Sequence, residues 1–152
     1  MRASNSNIFV IGACALVALG IGLAFSQMGS PAQGRQIALD QKRIRDLNAI
    51  AWNLQYRYTR VGRQLPKQLP NYFGVGPDGD PILNDPVTGR RYIYFRKDAK
   101  HYRLCARFGL ASDQNKLQEG DHRRLNWPHS VGQTCYSFDA SADSPEPMPV
   151  KP

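Results

Sequence analysis

The chain has 152 residues, with 20 Lys or Arg against 12 Asp or Glu and a formal net charge of +8. Setting aside an apolar N-terminus and a Pro-rich C-terminus leaves about 105 residues, enough for one small domain with one core. The charge keeps acidic proteins, anionic lipid and nucleic acid open as partners, whereas three cysteines without a C-x-x-C or a Cys/His cluster argue against structural zinc.

Residues 1–7 (MRASNSN) form a short polar tail with one charge, Arg2. Residues 8–26 carry no charge over 19 positions, enough to cross a bilayer core of about 30 Å, and they predict a transmembrane anchor in contact with membrane lipid. A cleaved signal peptide is the alternative, since Ala24 and Ser26 are small residues where a signal peptidase reads. The run is long for that role, which favours the anchor. Cys14 within it is a small, lipid-compatible residue. Orientation is contested. Arg35, Lys42, Arg43 and Arg45 follow the run, and the positive-inside rule counted strictly places the C-terminal part in the cytoplasm. Against this, the basic residues begin only at Arg35, and the two remaining cysteines suit an oxidising compartment. The expectation is an exported domain.

Residues 27–34 (QMGSPAQG), with two glycines and a proline, read as a flexible linker. From Arg35 the pattern changes. Ile37, Ile44, Leu47, Ala51, Leu54, Tyr58 and Val61 recur mostly three, four or seven apart, laying one apolar stripe along a helix that ends at Gly62. A continuous helix over 35–61 extends about 40 Å. The stripe is expected to be covered in part by a sheet and otherwise to meet a partner or further copies of the chain. Asp40, Lys42, Arg43, Arg45, Asp46, Arg57 and Arg60 fall on the other faces and read as a solvated, basic surface.

Between Gly62 and Gly89 the chain is rich in proline and glycine and predicts loop, with a short 3₁₀ turn near 67–69. Residues 91–96 (RYIYFR) and 101–108 (HYRLCARF) predict an antiparallel hairpin across a four-residue turn. Residues 109–124 are polar loop, and 134–138 predict a third strand. The expected fold class is α+β: a transmembrane segment, then a long amphipathic helix packed on a small antiparallel sheet within a domain at 35–138. Two cysteines in an exported domain are expected to pair. A Cys105–Cys135 bond closing that loop stabilises by about 3–4 kcal/mol on the chain-entropy model. Residues 139–152, with four prolines after 140, predict a disordered tail.

This order of elements resembles that of type IV pilin-like and pseudopilin subunits. Residues 62–69 (GRQLPKQL) resemble the segment leaving the long helix of the major pseudopilin of type II secretion. Residues 85–94 (DPVTGRRYIY) look like its D-P-x-x-G-x-x-Y-x-Y turn and strand, with Asp85-Pro86 opening the turn, Gly89 permitting a positive φ, and Tyr92 and Tyr94 packing back on the helix. Residues 104–108 (LCARF) and 127–135 (WPHSVGQTC) resemble a set of membrane-anchored bacterial proteins with the pattern L-C-A-x-F followed by W-x-H-x-x-G-x-x-C. The resemblance implies a single-pass protein of the bacterial inner membrane with its C-terminal domain in the periplasm. It departs from true pilins in two ways. The apolar run contains no Glu, and no basic leader precedes a Gly followed by an aromatic or Met. A buried Glu is kept in a membrane only for a task such as filament register.

Major pseudopilins also carry calcium, and Asp78, Asp80, Asn84 and Asp85 offer oxygen ligands here without EF-hand spacing; the same residues make an ordinary turn, and no cofactor is expected. The three histidines, His101, His122 and His129, lack the spacing of a metal pair, and no nucleophile elbow or phosphate loop occurs. Trp127, His129 and Gly132 are expected to pin the last loop near the disulfide. Asp40 and Asp46, six apart, are not placed as an acid/base pair. The reading is therefore of a non-enzymatic structural or interaction protein with a pilin-like domain, whose partner is another membrane or periplasmic protein or itself. A pseudopilin or minor pilin subunit is one alternative, and a signal-cleaved soluble periplasmic binding protein is another. Nucleic acid fits less well, because no basic patch interleaved with aromatics stands out in the loops, and no small-molecule substrate is evident.

Overall fold

A computed structural model describes residues 5–27, 30–76, 79, 82–112 and 127–149. The chain divides into two units, Met1–Gly34 and Arg35–Pro152. Helix α1 runs over Asn5–Gln27 in the first unit. Its described side chains, at 10–21, are all apolar or glycine and all exposed; Leu16, Val17 and Leu19 are 71%, 62% and 63% exposed. Among the described residues no helix is long and apolar enough to cross a membrane.

Helix α2 covers Pro31–Val61, starting four residues before the stripe predicts. Ser30 accepts the Ala32 N–H at 3.3 Å, and Pro31 takes the first helical position, where a missing N–H costs nothing. The linker expected at 27–34 is thus shortened: 31–34 belong to α2, while 28–29 lie outside the described residues. At the other end Gly62 has φ 149° and Arg63 φ 52°, and the Arg63 N–H returns to the Tyr58 carbonyl at 2.9 Å. That bond satisfies one of the carbonyls a helix end leaves over.

Strands β1 (Ile93–Arg96), β2 (His101–Phe108), β3 (Gly132–Asp139) and β4 (Met148–Pro149) form an antiparallel meander in that order. With side chains alternating between faces, Tyr102, Leu104, Ala106 and Phe108 of β2 join Tyr136 and Phe138 of β3 in the core. They meet Ile44, Leu47, Ile50, Ala51 and Leu54 of α2, and Leu65, Leu69, Phe73, Ile82 and Leu83 from the connection close the sides. Tyr102 stacks on Phe138 at 5.1 Å, and Trp127 meets Tyr136 edge-on at 4.8 Å. The short 3₁₀ turn lies at Asn71–Phe73, a few residues after its predicted place, where Phe73 drops into the core.

The stripe on α2 is therefore an internal surface and not one left for a partner. Ile37, Ile44, Leu47, Ala51 and Leu54 are buried, Tyr58 is half-buried against the core, and only Val61 is out, at 62%. The core that the sheet and the connection build against the helix reaches as far as Tyr58. The tail expected to be disordered is also placed as far as Pro149. Ala140 is buried and gives its N–H to Lys100 O at 2.8 Å, the Gln55 amide donates to Ala142 O, and Met148–Pro149 pairs with β3. Proline is tolerated there because β4 is an edge strand. Residues 150–152 and most of the loop expected at 109–124 lie outside the described residues.

Cys105 and Cys135 stand directly opposite in the β2–β3 register, with Cα atoms 4.1 Å apart, and are joined by a disulfide. Reducing it should lower urea-unfolding stability by about 3–4 kcal/mol. Truncating the stripe tests its burial. Leu47→Ala should cost about 3 kcal/mol and Val61→Ala less than about 0.5 kcal/mol; equal, small losses would mean that the sheet does not cover the helix.

Candidate functional site

One turn organises the polar chemistry. Asp85 Oδ1 accepts the backbone N–H groups of Val87 (3.0 Å) and Thr88 (2.8 Å), a short-range bond that Asp makes readily at the start of a turn. The Gly89 N–H returns to Asp85 O at 2.9 Å, and Gly89 has φ 66°, a conformation suited to glycine. The carboxylate so fixed faces α2. Arg43 donates to it through Nε (2.5 Å) and Nη2 (3.3 Å), and through Nη1 to Asp40 at 2.7 Å. Asp40 in turn accepts the N–H groups of Gly109 (3.0 Å) and Leu110 (2.9 Å), just beyond β2. Helix, turn and sheet end are thereby tied through one guanidinium.

Asp40, Arg43 and Asp85 are 0%, 4% and 8% exposed. Burial alone would discourage each charge. It pushes the Asp85 carboxyl up, but the Arg43 hydrogen bond and the Thr88 and Val87 N–H groups outweigh it and hold the pKa down at about 2. Burial likewise pulls Arg43 down, and its two carboxylate partners more than restore it, leaving it raised. One turn along, the Tyr92 hydroxyl donates to Asp46 Oδ2 at 2.9 Å, and Lys42 approaches Asp46 at 3.4 Å. Burial raises Asp46 despite these partners, and it raises the Tyr92 phenol above its ordinary range, so Tyr92 stays a donor.

Beside this network lies an open cleft of about 510 Å³. Tyr92, Ile93, Ala106 and Phe108 give it apolar lining, and Arg43, Arg90, Arg91 and Arg107 line it from α2, the turn and β2, Arg91 also donating through Nη2 to Leu69 O at 3.3 Å. Gln36 lies against Gly109 so closely that a Cβ there would stand 1.8 Å from its amide nitrogen.

Of the predicted turn residues, Asp85 pairs with Arg43 and Tyr92 bonds Asp46 on the same helix, Pro86 and Gly89 belong to the turn itself, and Tyr94 gives its hydroxyl to Pro66 O at 2.8 Å. Of the calcium candidates, Asp78 and Asp80 lie outside the described residues, Asn84 is exposed and bridges Arg91, and both oxygens of Asp85 are already engaged. Among the described residues, no group of three His, Cys, Asp or Glu is placed to hold a metal ion. His129 stacks on Phe108 at 4.0 Å and shares a 2.7 Å hydrogen bond with Trp127 O; since a carbonyl only accepts, Nδ1 carries the proton. Gly132, with φ 102°, pairs with Phe108 at the end of the ladder. His122 lies outside the described residues, and His101 sits at the hairpin against Asp98 at 2.7 Å. Reading Asp40, Arg43 and Asp46 as solvated missed this network. Its one visible sign is the i,i+3 spacing of Asp40 and Arg43.

No family model, curated protein or solved structure matches the chain.

Asp85 has a depressed folded pKa, so its stabilising effect is present above the unfolded carboxylate pKa of about 4 and is lost as pH falls towards about 2. Asp46, raised, acts in the opposite sense. Asp85→Asn should cost about 3 kcal/mol at pH 7 and remove about 2 kcal/mol of the loss between pH 4 and 2. Urea unfolding at the three pH values checks both; an acid limb as steep in the variant as in the parent would show that Arg43 does not govern Asp85.

Proposed function

We propose that the protein is a non-enzymatic, membrane-anchored structural or interaction protein, with residues 8–26 spanning the bacterial inner membrane once and a pilin-like α+β domain in the periplasm. The observation that carries this reading is α1. It is a 23-residue helix over a stretch with no charge from 8 to 26, and its described side chains are apolar on every side and exposed. A helix apolar all round has no face suited to water and needs lipid or protein around it. The Cys105–Cys135 bond supports export, since such bonds persist in oxidising compartments. The order of long helix, Pro/Gly connection and antiparallel meander, with the turn at 85–94, supports the pilin-like organisation.

The stripe on α2 is occupied by the domain's own sheet, so α1 is the apolar surface through which the protein associates. The missing Glu in the run favours an anchored domain over a filament subunit.

Intact mass of the membrane-extracted protein tests this. The full 152-residue mass is expected. Loss of about 26 residues would replace the anchor with a released periplasmic protein. A new, methylated terminus after one of the glycines in the run would make it a pseudopilin instead.

A further inference from the structure

We propose that the cleft beside Arg43 is a binding site for a phosphate-type oxyanion. Four arginines line it against one carboxylate, and Asp40 behind that carboxylate still leaves cations in excess. Both acids are already consumed. Asp85 accepts from Arg43, Val87 and Thr88, and Asp40 from Arg43, Gly109 and Leu110. Among the described residues Arg90 and Arg107 make no ion pair, although both are exposed at the same cleft. Like charges held together at one opening repel, and an anion between them relieves the repulsion.

The chemistry of the lining selects the anion. Arg90 reaches the cleft from the turn and Arg107 from β2, and Gln36 and Gln133 also line it. Donors therefore approach from several directions, as the acceptors of a tetrahedral phosphate require, and guanidinium forks pair with phosphate oxygens two at a time. The apolar lining excludes water from one side of the ligand and strengthens each pair. A volume of about 510 Å³ admits inorganic phosphate or a phospholipid headgroup. The proposal goes beyond the anchored reading and does not need α1 to lie in a bilayer.

Calorimetric titration of the full chain in non-ionic detergent tests it with two probes, inorganic phosphate and water-soluble dihexanoyl phosphatidylglycerol. Saturable one-to-one binding of at least one probe is expected. Phosphate binding identifies a free oxyanion, and binding of the lipid alone identifies a headgroup. An Arg90→Gln/Arg107→Gln variant should bind at least about tenfold more weakly. Arg103→Gln, on β2 but outside the cleft, should bind as the parent does. Arg90→Lys/Arg107→Lys keeps the charge without the fork and should fall between. Neither probe binding to the parent, or equal binding by the double glutamine variant and Arg103→Gln, would overturn the site. Both glutamine variants should keep the parent's thermal midpoint, because the three arginines are exposed.

Discussion

Arg43 donates to Asp85 through Nε and Nη2 and to Asp40 through Nη1, with all three side chains almost out of water. A charge so placed is tolerated only with its partners in position, and removing one partner typically costs about 3–5 kcal/mol. Because Asp85 belongs to a turn and Asp40 reads the N–H groups after β2, the geometry of three segments must be right at once. Apolar packing along Leu47, Ile50 and Leu54 is permissive about angle. The network is not, and it sets how α2 lies on the sheet at that end.

The same logic applies at the sheet's margins. An edge strand leaves backbone groups free to pair with another chain. Here β1 is four residues long and its side chains bond the connections, the Tyr94 hydroxyl donating to Pro66 O and the Arg96 guanidinium to Leu65 O, while just before the strand the Tyr92 N–H goes to Leu83 O. On the far side β4 is two residues long and includes Pro149. Neither margin offers a long, regular edge, and both therefore hinder strand addition.

The elements driven by local pattern were legible in advance. The stripe, the hairpin with its aromatic alternation and the glycine at the end of α2 all follow from spacing and turn chemistry. What escaped was set by tertiary contact. Arg43 and Asp46 look solvated because charge is normally outside; only the distant Asp85 and Tyr92 make their burial affordable. The tail looks disordered because proline and small polar residues dominate it, yet an edge position asks little of a strand. The stripe falls on the face that is buried, but the sequence leaves part of it to a partner, since periodicity gives a face and not its occupant. Of the cleft, the individual arginines were visible, but their convergence needed the register of β2 against β1.

The bond between Cys105 and Cys135 joins β2 to β3 at opposed positions, making the stretch between them a covalent ring. Doubling an open loop ordinarily adds about 0.6 kcal/mol to its closure entropy. In the oxidised chain that closure is already made before folding begins. A single cut in the connection between the two strands therefore leaves the halves joined at Cys105 and Cys135.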